Sequence, residues 1–162
     1  MSNLFTKVPM KRPPSNVFDL SHDNKLSVQL KQLVPILCME CVPGDNIRIS
    51  SASLIRMAPM LAPVMHQVSV YHHFFFVPNR LLWDNWEDFT TGGRLGTANP
   101  AHPTLQLNDA NYAAFPLWDY LGLPDPQGAD EAVSAIPMAA YQFIYQEYYR
   151  DQNLIPEFNI DL

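Results

Sequence analysis

Hydrophobic and polar residues alternate over much of the first half of the chain, which predicts strands. Leu26, Val28 and Leu30 alternate with polar residues, and this period of two is typical of a half-buried strand. A Pro-Gly-Asp turn at 43–45 separates two further extended stretches. The pattern predicts three or four strands of a largely antiparallel kind. The extended segments are residues 26–31, 36–42, 46–57 and 67–77.

The densest aromatic stretch, QVSVYHHFFFVPNRLLWDNWEDF at 67–89, predicts a strand followed by a helix. Both faces of the strand carry large apolar or aromatic residues, so both need cover. Pro78 ends the strand because it cannot donate to a ladder, and Asn79 stands where a helix N-cap belongs. The helix presents Leu82, Trp86 and Phe89 on one stripe and stops at Thr90–Gly93.

Beyond Gly96 the pattern changes to a proline-rich one. Six prolines interrupt residues 94–137, which predicts a long elaborated loop with one helical turn at 114–124 closed by Gly122. Residues 138–150 then predict a second helix, with Pro137 suited to its start and Tyr145 and Tyr148 on its apolar stripe.

The composition favours a loop-rich β protein or part of an assembly. At 162 residues one domain is expected, but only 16% of the residues are charged and 15 are proline. No apolar run approaches the roughly 18–20 residues of a membrane span. With two cysteines the chain has no disulfide scaffold, and a cytosol-like compartment is indicated.

The charges are unevenly distributed. Residues 1–31 hold five basic and two acidic side chains, whereas the rest holds five basic and fourteen acidic ones. Lys7, Lys11 and Arg12 lie among prolines on an extended arm, and such an arm could neutralise the phosphates of a polyanion. The alternative is an ordinary extended arm that lies on a neighbouring molecule or is disordered.

The candidates for chemistry each have a plain structural interpretation, and no catalytic site, metal site or cofactor is predicted. Cys38 and Cys41 have the spacing of half a zinc or redox site, but residues i and i+3 of a strand point to opposite faces. His72 and His73 diverge for the same reason. The carboxylates at 84–88 are typical of a solvated helix face. Trp83 and Trp86 could stack on bases, but the charge around them is negative.

Several collinear segments resemble the major capsid protein of the Microviridae, in its gokushovirus-like branch. They include LVPILCMECVPGDNIRI (33–49), YHHFFFVPNRLLWDNWEDF (71–89) and IPMAAYQFIYQEYYRDQNL (136–154). Further segments are FDLSHDNKLSV (18–28), MAPMLAPVM (57–65) and WDYLGLP (118–124). Together these segments span nearly the whole chain.

The resemblance implies a mainly β fold with helical insertions, a partial viral jelly roll in the form of an antiparallel β-sandwich. Its implied parts are an extended basic arm (1–25), the first jelly-roll strands (26–78) and a helical, Pro-rich insertion region (79–162). The implied function is a structural subunit of a small icosahedral shell around single-stranded DNA, without catalysis or cofactors. The candidates for interface and packing residues are Phe74, Phe76, Trp83, Trp86, Phe89, Tyr145 and Tyr148.

The same resemblance implies the partners and the location. The partners are other copies of the chain, the packaged single-stranded DNA on the side of Lys7, Lys11 and Arg12, and other virion proteins, with no membrane. The location is the virion, with the host cytoplasm during assembly.

One departure from the family affects the expected stability. Family members are several hundred residues long and a jelly roll needs eight strands, so the chain is expected to be an N-terminal part with open strand edges. We therefore expect the isolated chain to be marginally stable or aggregation-prone. Two other hypotheses are a module that binds single-stranded DNA or protein through the basic arm and exposed tryptophans, and a thiol enzyme.

Overall fold

Helices form the larger part of the regular structure. The computed structural model describes residues 11, 13–128, 130–160 and 162. Within this part of the chain every helix lies beyond Pro78. The helices are α1 (Trp86–Thr91), α2 (Asp109–Ala114), α3 (Pro116–Tyr120) and α4 (Ile136–Tyr148), and a short 3-10 turn (Asn79–Leu81) precedes them.

The described β structure is one antiparallel pair in the region predicted to be a loop. Strand β1 (Thr104–Leu107) pairs with β2 (Glu131–Ser134), with Leu105 opposite Val133. Leu107 is fully buried, and the Ala135 amide continues the pairing by donating to the Pro103 carbonyl at 3.1 Å. The pair therefore leads directly into α4.

The prediction of a mainly β fold with a partial jelly roll is wrong. Residues 26–31, 36–42, 46–57 and 67–77 contain no strand, and the described sheet has two strands of four residues each. Alternation shows only that a segment could bury one face, whereas a strand also needs a second segment that pairs along its edge. No described residue supplies that pairing to residues 46–77, which form no backbone-to-backbone hydrogen bond within the described chain.

The helix predicted from Asn79 to Phe89 forms in two pieces. The Asn79 carbonyl accepts from the Leu82 and Trp83 amides, and a turn separates this 3-10 piece from α1. The stop at Gly92 is confirmed, since Gly92 has φ 78° and its amide donates to the Asp88 carbonyl at 2.9 Å. A Cβ at Gly92 would lie 3.1 Å from the Gly96 backbone, so glycine fits both the turn and the close approach.

Helix α4 confirms the second predicted helix. It begins at Ile136, two residues before the predicted start at residue 138. Pro137 occupies its first turn. The Tyr141 hydroxyl donates to the Leu33 carbonyl at 2.9 Å, and burial, with a smaller contribution from Tyr145, raises the pKa of Tyr141. Gln146 is buried, where its amide nitrogen donates to Glu157 at 3.0 Å and its oxygen accepts from the Phe158 amide at 3.2 Å. The helix is thus tied to the segments before and after it.

Helix α3 confirms the helical turn predicted at 114–124. The Gly122 amide donates to the Asp119 carbonyl at 3.0 Å, and Gly122 takes φ 78°. Trp118 is buried against Phe115, with ring centroids 5.5 Å apart. The described core is small and consists of Leu82, Trp83, Leu107, Trp118, Ala135 and Ala139.

The chain divides into two units, residues 1–31 and residues 32–162. In the first unit, the described residues form no helix or strand, and the Asp19 carboxylate accepts from the Ser21 amide at 3.0 Å and the Ser21 hydroxyl at 2.6 Å. These hydrogen bonds lower the pKa of Asp19. The division into parts at residues 25 and 78 stays a prediction.

Candidate functional site

A broad apolar surface lies on the segment before the first helix, which contains neither helix nor strand. Residues 46–77 form no backbone-to-backbone hydrogen bond with any residue that the structure describes. Arg48 and Arg56 are their only charged side chains other than histidines. The exposed apolar side chains are Ile47, Ile49, Leu54, Ile55, Met57, Met60, Leu61, Val64, Met65, Val68, Val70, Tyr71, Phe74, Phe75 and Phe76.

One face of the aromatic stretch packs on the end of α4. The Phe75 and Tyr148 ring centroids lie 4.9 Å apart, and the His73 ring stacks on Tyr149 at 5.8 Å. His73 Nδ1 and the Tyr149 hydroxyl also form a hydrogen bond. The odd-numbered residues of this stretch therefore share one face, as the alternation predicts for extended backbone.

The opposite face of that stretch is open. His72 Nδ1 forms a 2.9 Å hydrogen bond with the Ser51 hydroxyl, while Phe74 and Phe76 are 52% and 76% exposed. An aromatic side chain carries roughly 150–250 Å² of surface, so the two phenylalanines leave a substantial apolar area in water. This face is suited to cover by another molecule.

A second aromatic cluster surrounds Trp83, which is 3% exposed. The Trp83 ring centroid lies 5.3 Å from that of Phe89, 5.7 Å from His102 and 6.3 Å from Trp86. Phe89 also contacts Trp86 at 6.1 Å and His102 at 5.7 Å. The cluster holds the 3-10 turn, α1 and the chain near His102 together.

The predicted interface residues therefore fall into different environments. Trp83, Trp86 and Phe89 come together in one cluster, whereas Tyr145 stacks on Phe158 at 6.5 Å. Phe74, Phe76 and Tyr148 are exposed. Which of these residues meet a partner stays a prediction.

Sequence reasoning missed three contributors to the clusters. His102 stands alone in a proline-rich stretch and gave no signal. Phe75 and Tyr149 each adjoin a chosen residue, and the odd-even alternation and the end of α4 could have indicated them.

The basic arm is only partly described. Lys11 is exposed, while Lys7 and Arg12 lie outside the described residues. Its role toward DNA stays a prediction.

The arrangement of the cysteines and other potential ligands does not favour reactive chemistry. Burial, with a smaller contribution from Glu40, raises the pKa of Cys38, whereas a reactive thiol needs a lowered one. In the part of the chain that the structure covers, no three His, Cys, Asp or Glu side chains are grouped to hold a metal ion. None of the helices in the described residues is long and apolar enough to cross a membrane.

The chain is similar to several phage capsid proteins. It is 40% identical to capsid protein VP1 of Chlamydia phage 1 over an alignment of 162 residues, and this alignment covers 95% of the chain. It is 34% identical over 154 residues to VP1 of Bdellovibrio phage phiMH2K, covering 93% of the chain. The identity to VP1 of Spiroplasma virus 4 is 25% over 148 residues, or 89% of the chain.

The match to these relatives covers a limited part of each of them. The chain spans 27%, 28% and 26% of the lengths of the three VP1 proteins. The family described as capsid protein (F protein) matches residues 6–162, which is nearly the whole chain. The resemblance to Microviridae major capsid proteins is thus confirmed, and the chain belongs to the phage capsid protein (F protein) family.

Proposed function

We propose that this chain serves in a structural subunit of a small icosahedral single-stranded DNA phage capsid, and acts by association with other copies of itself. Family membership supports the structural role. The observation that carries the proposal is the amount of apolar surface left in water. A subunit of a shell has to expose such surface before assembly and cover it afterwards.

The total accessible area, polar and apolar together, is also large. The chain exposes 14689 Å². A monomeric globular protein of 18.4 kDa exposes about 8,200 Å² by the usual scaling of surface with mass. The difference exceeds the roughly 800 Å² that each partner contributes to a standard protein interface several times over.

The proposed role is structural and not catalytic. The described histidines, cysteines and carboxylates offer no metal-binding group, and the raised pKa of Cys38 opposes a thiolate nucleophile. A function that depends on packing between subunits needs neither a metal site nor a reactive thiol. The location that follows is the virion, with the host cytoplasm as the place of assembly.

The genome is the second proposed partner. Lys7, Lys11 and Arg12 would neutralise phosphates of the packaged DNA on the inner side of the shell, and other virion proteins would cover part of the remaining surface. A stand-alone DNA-binding module that stacks bases on tryptophan has less support. Trp83 and Trp118 are buried, which leaves only the half-buried Trp86 as a possible stacking surface among the three tryptophans.

The proposal is tested on particles from cells that produce the protein. The particles are purified on a density gradient after nuclease and protease treatment, and their peptides are identified by mass spectrometry. Peptides from residues 32–162 are expected in the band that contains protected single-stranded DNA. If those peptides stay at the top of the gradient, separate from the DNA-containing band, the proposed function is wrong.

A further inference from the structure

We draw no further inference here: the strongest candidate, the cavity of about 370 Å³ between the 3-10 turn, α4 and residues 157–160, carries none, because Gln146 and Glu157 in its wall already bond to each other and nothing in the structure shows what would occupy it.

Discussion

At the scale of single residues, the described core depends on Trp83. Its ring contacts Trp86 and Phe89 of α1, and His102 in the loop that follows. No other member of the small described core has so many ring contacts. The residues 79–102 therefore owe their arrangement largely to this side chain.

Trp83→Ala should lower the free energy of unfolding by about 3–5 kcal/mol, the usual cost of removing a large buried aromatic side chain. The Trp83 side chain is only 3% exposed, and the substitution removes its contacts with Phe89 and His102. The measurement is urea unfolding followed by pulse proteolysis at submicromolar concentration, where association is least. Leu95→Ala, at an exposed side chain, is the control and should change the free energy by less than about 0.5 kcal/mol. Equal effects of the two variants would show that Trp83 does not organise this core.

The arm gives a second prediction at the residue scale. If Lys7, Lys11 and Arg12 each neutralise one phosphate, replacing all three by Gln should reduce the slope of log affinity for single-stranded DNA against log salt by about 2. Fluorescence anisotropy of a labelled oligonucleotide over a salt series measures the slope. The control replaces the exposed residues Lys25, Arg80 and Arg94 by Gln. An unchanged slope for the arm variant, or an equal change for the control, would argue against a DNA-facing arm.

At the scale of secondary structure, two helix starts differ in how they are capped. The Asn108 side chain accepts from the Asn111 amide at 2.9 Å at the start of α2. Asn85 precedes α1 and makes no such bond. The same residue type thus occupies two N-cap positions and acts as a cap in only one of them.

Asn108→Ala should therefore destabilise the chain by about 0.5–2 kcal/mol, the usual cost of losing a cap. Asn85→Ala is the matched control, and its effect should be within about 0.5 kcal/mol of the wild type. Both are measured by urea unfolding as above. A larger loss for Asn85→Ala than for Asn108→Ala would contradict the assignment of the cap.

Comparison of the predicted and observed elements shows which signals in the sequence are local. The end of α1 at Gly92, the turn at Gly122 and the helix after Pro137 were predictable, because each depends on backbone preferences of nearby residues. The strands were mispredicted because pairing depends on residues far apart in sequence. The alternation in Thr104–Leu107 was a usable signal, but the surrounding prolines concealed it. The cluster at Trp83 joins His102 from across a loop, which no local pattern indicates.

At the scale of the whole molecule, the exposed apolar surface agrees with the family assignment, because a capsid subunit exposes surface that assembly covers. The sequence motifs alone identified the capsid family, and the comparisons confirm it. The expected fold class did not hold, whereas the expectation of uncovered apolar surface agrees with the many exposed large apolar side chains between Ile47 and Phe76. Covering exposed apolar surface favours association, at roughly 25 cal/mol per Å² covered.

The most direct test of this account is sedimentation velocity of the wild-type chain over a concentration series from submicromolar to tens of micromolar. We expect the weight-average sedimentation coefficient to rise with concentration, because other copies cover the exposed apolar side chains of residues 46–77. A single species of 18.4 kDa at every concentration, unfolding cooperatively as a monomer, would contradict the account.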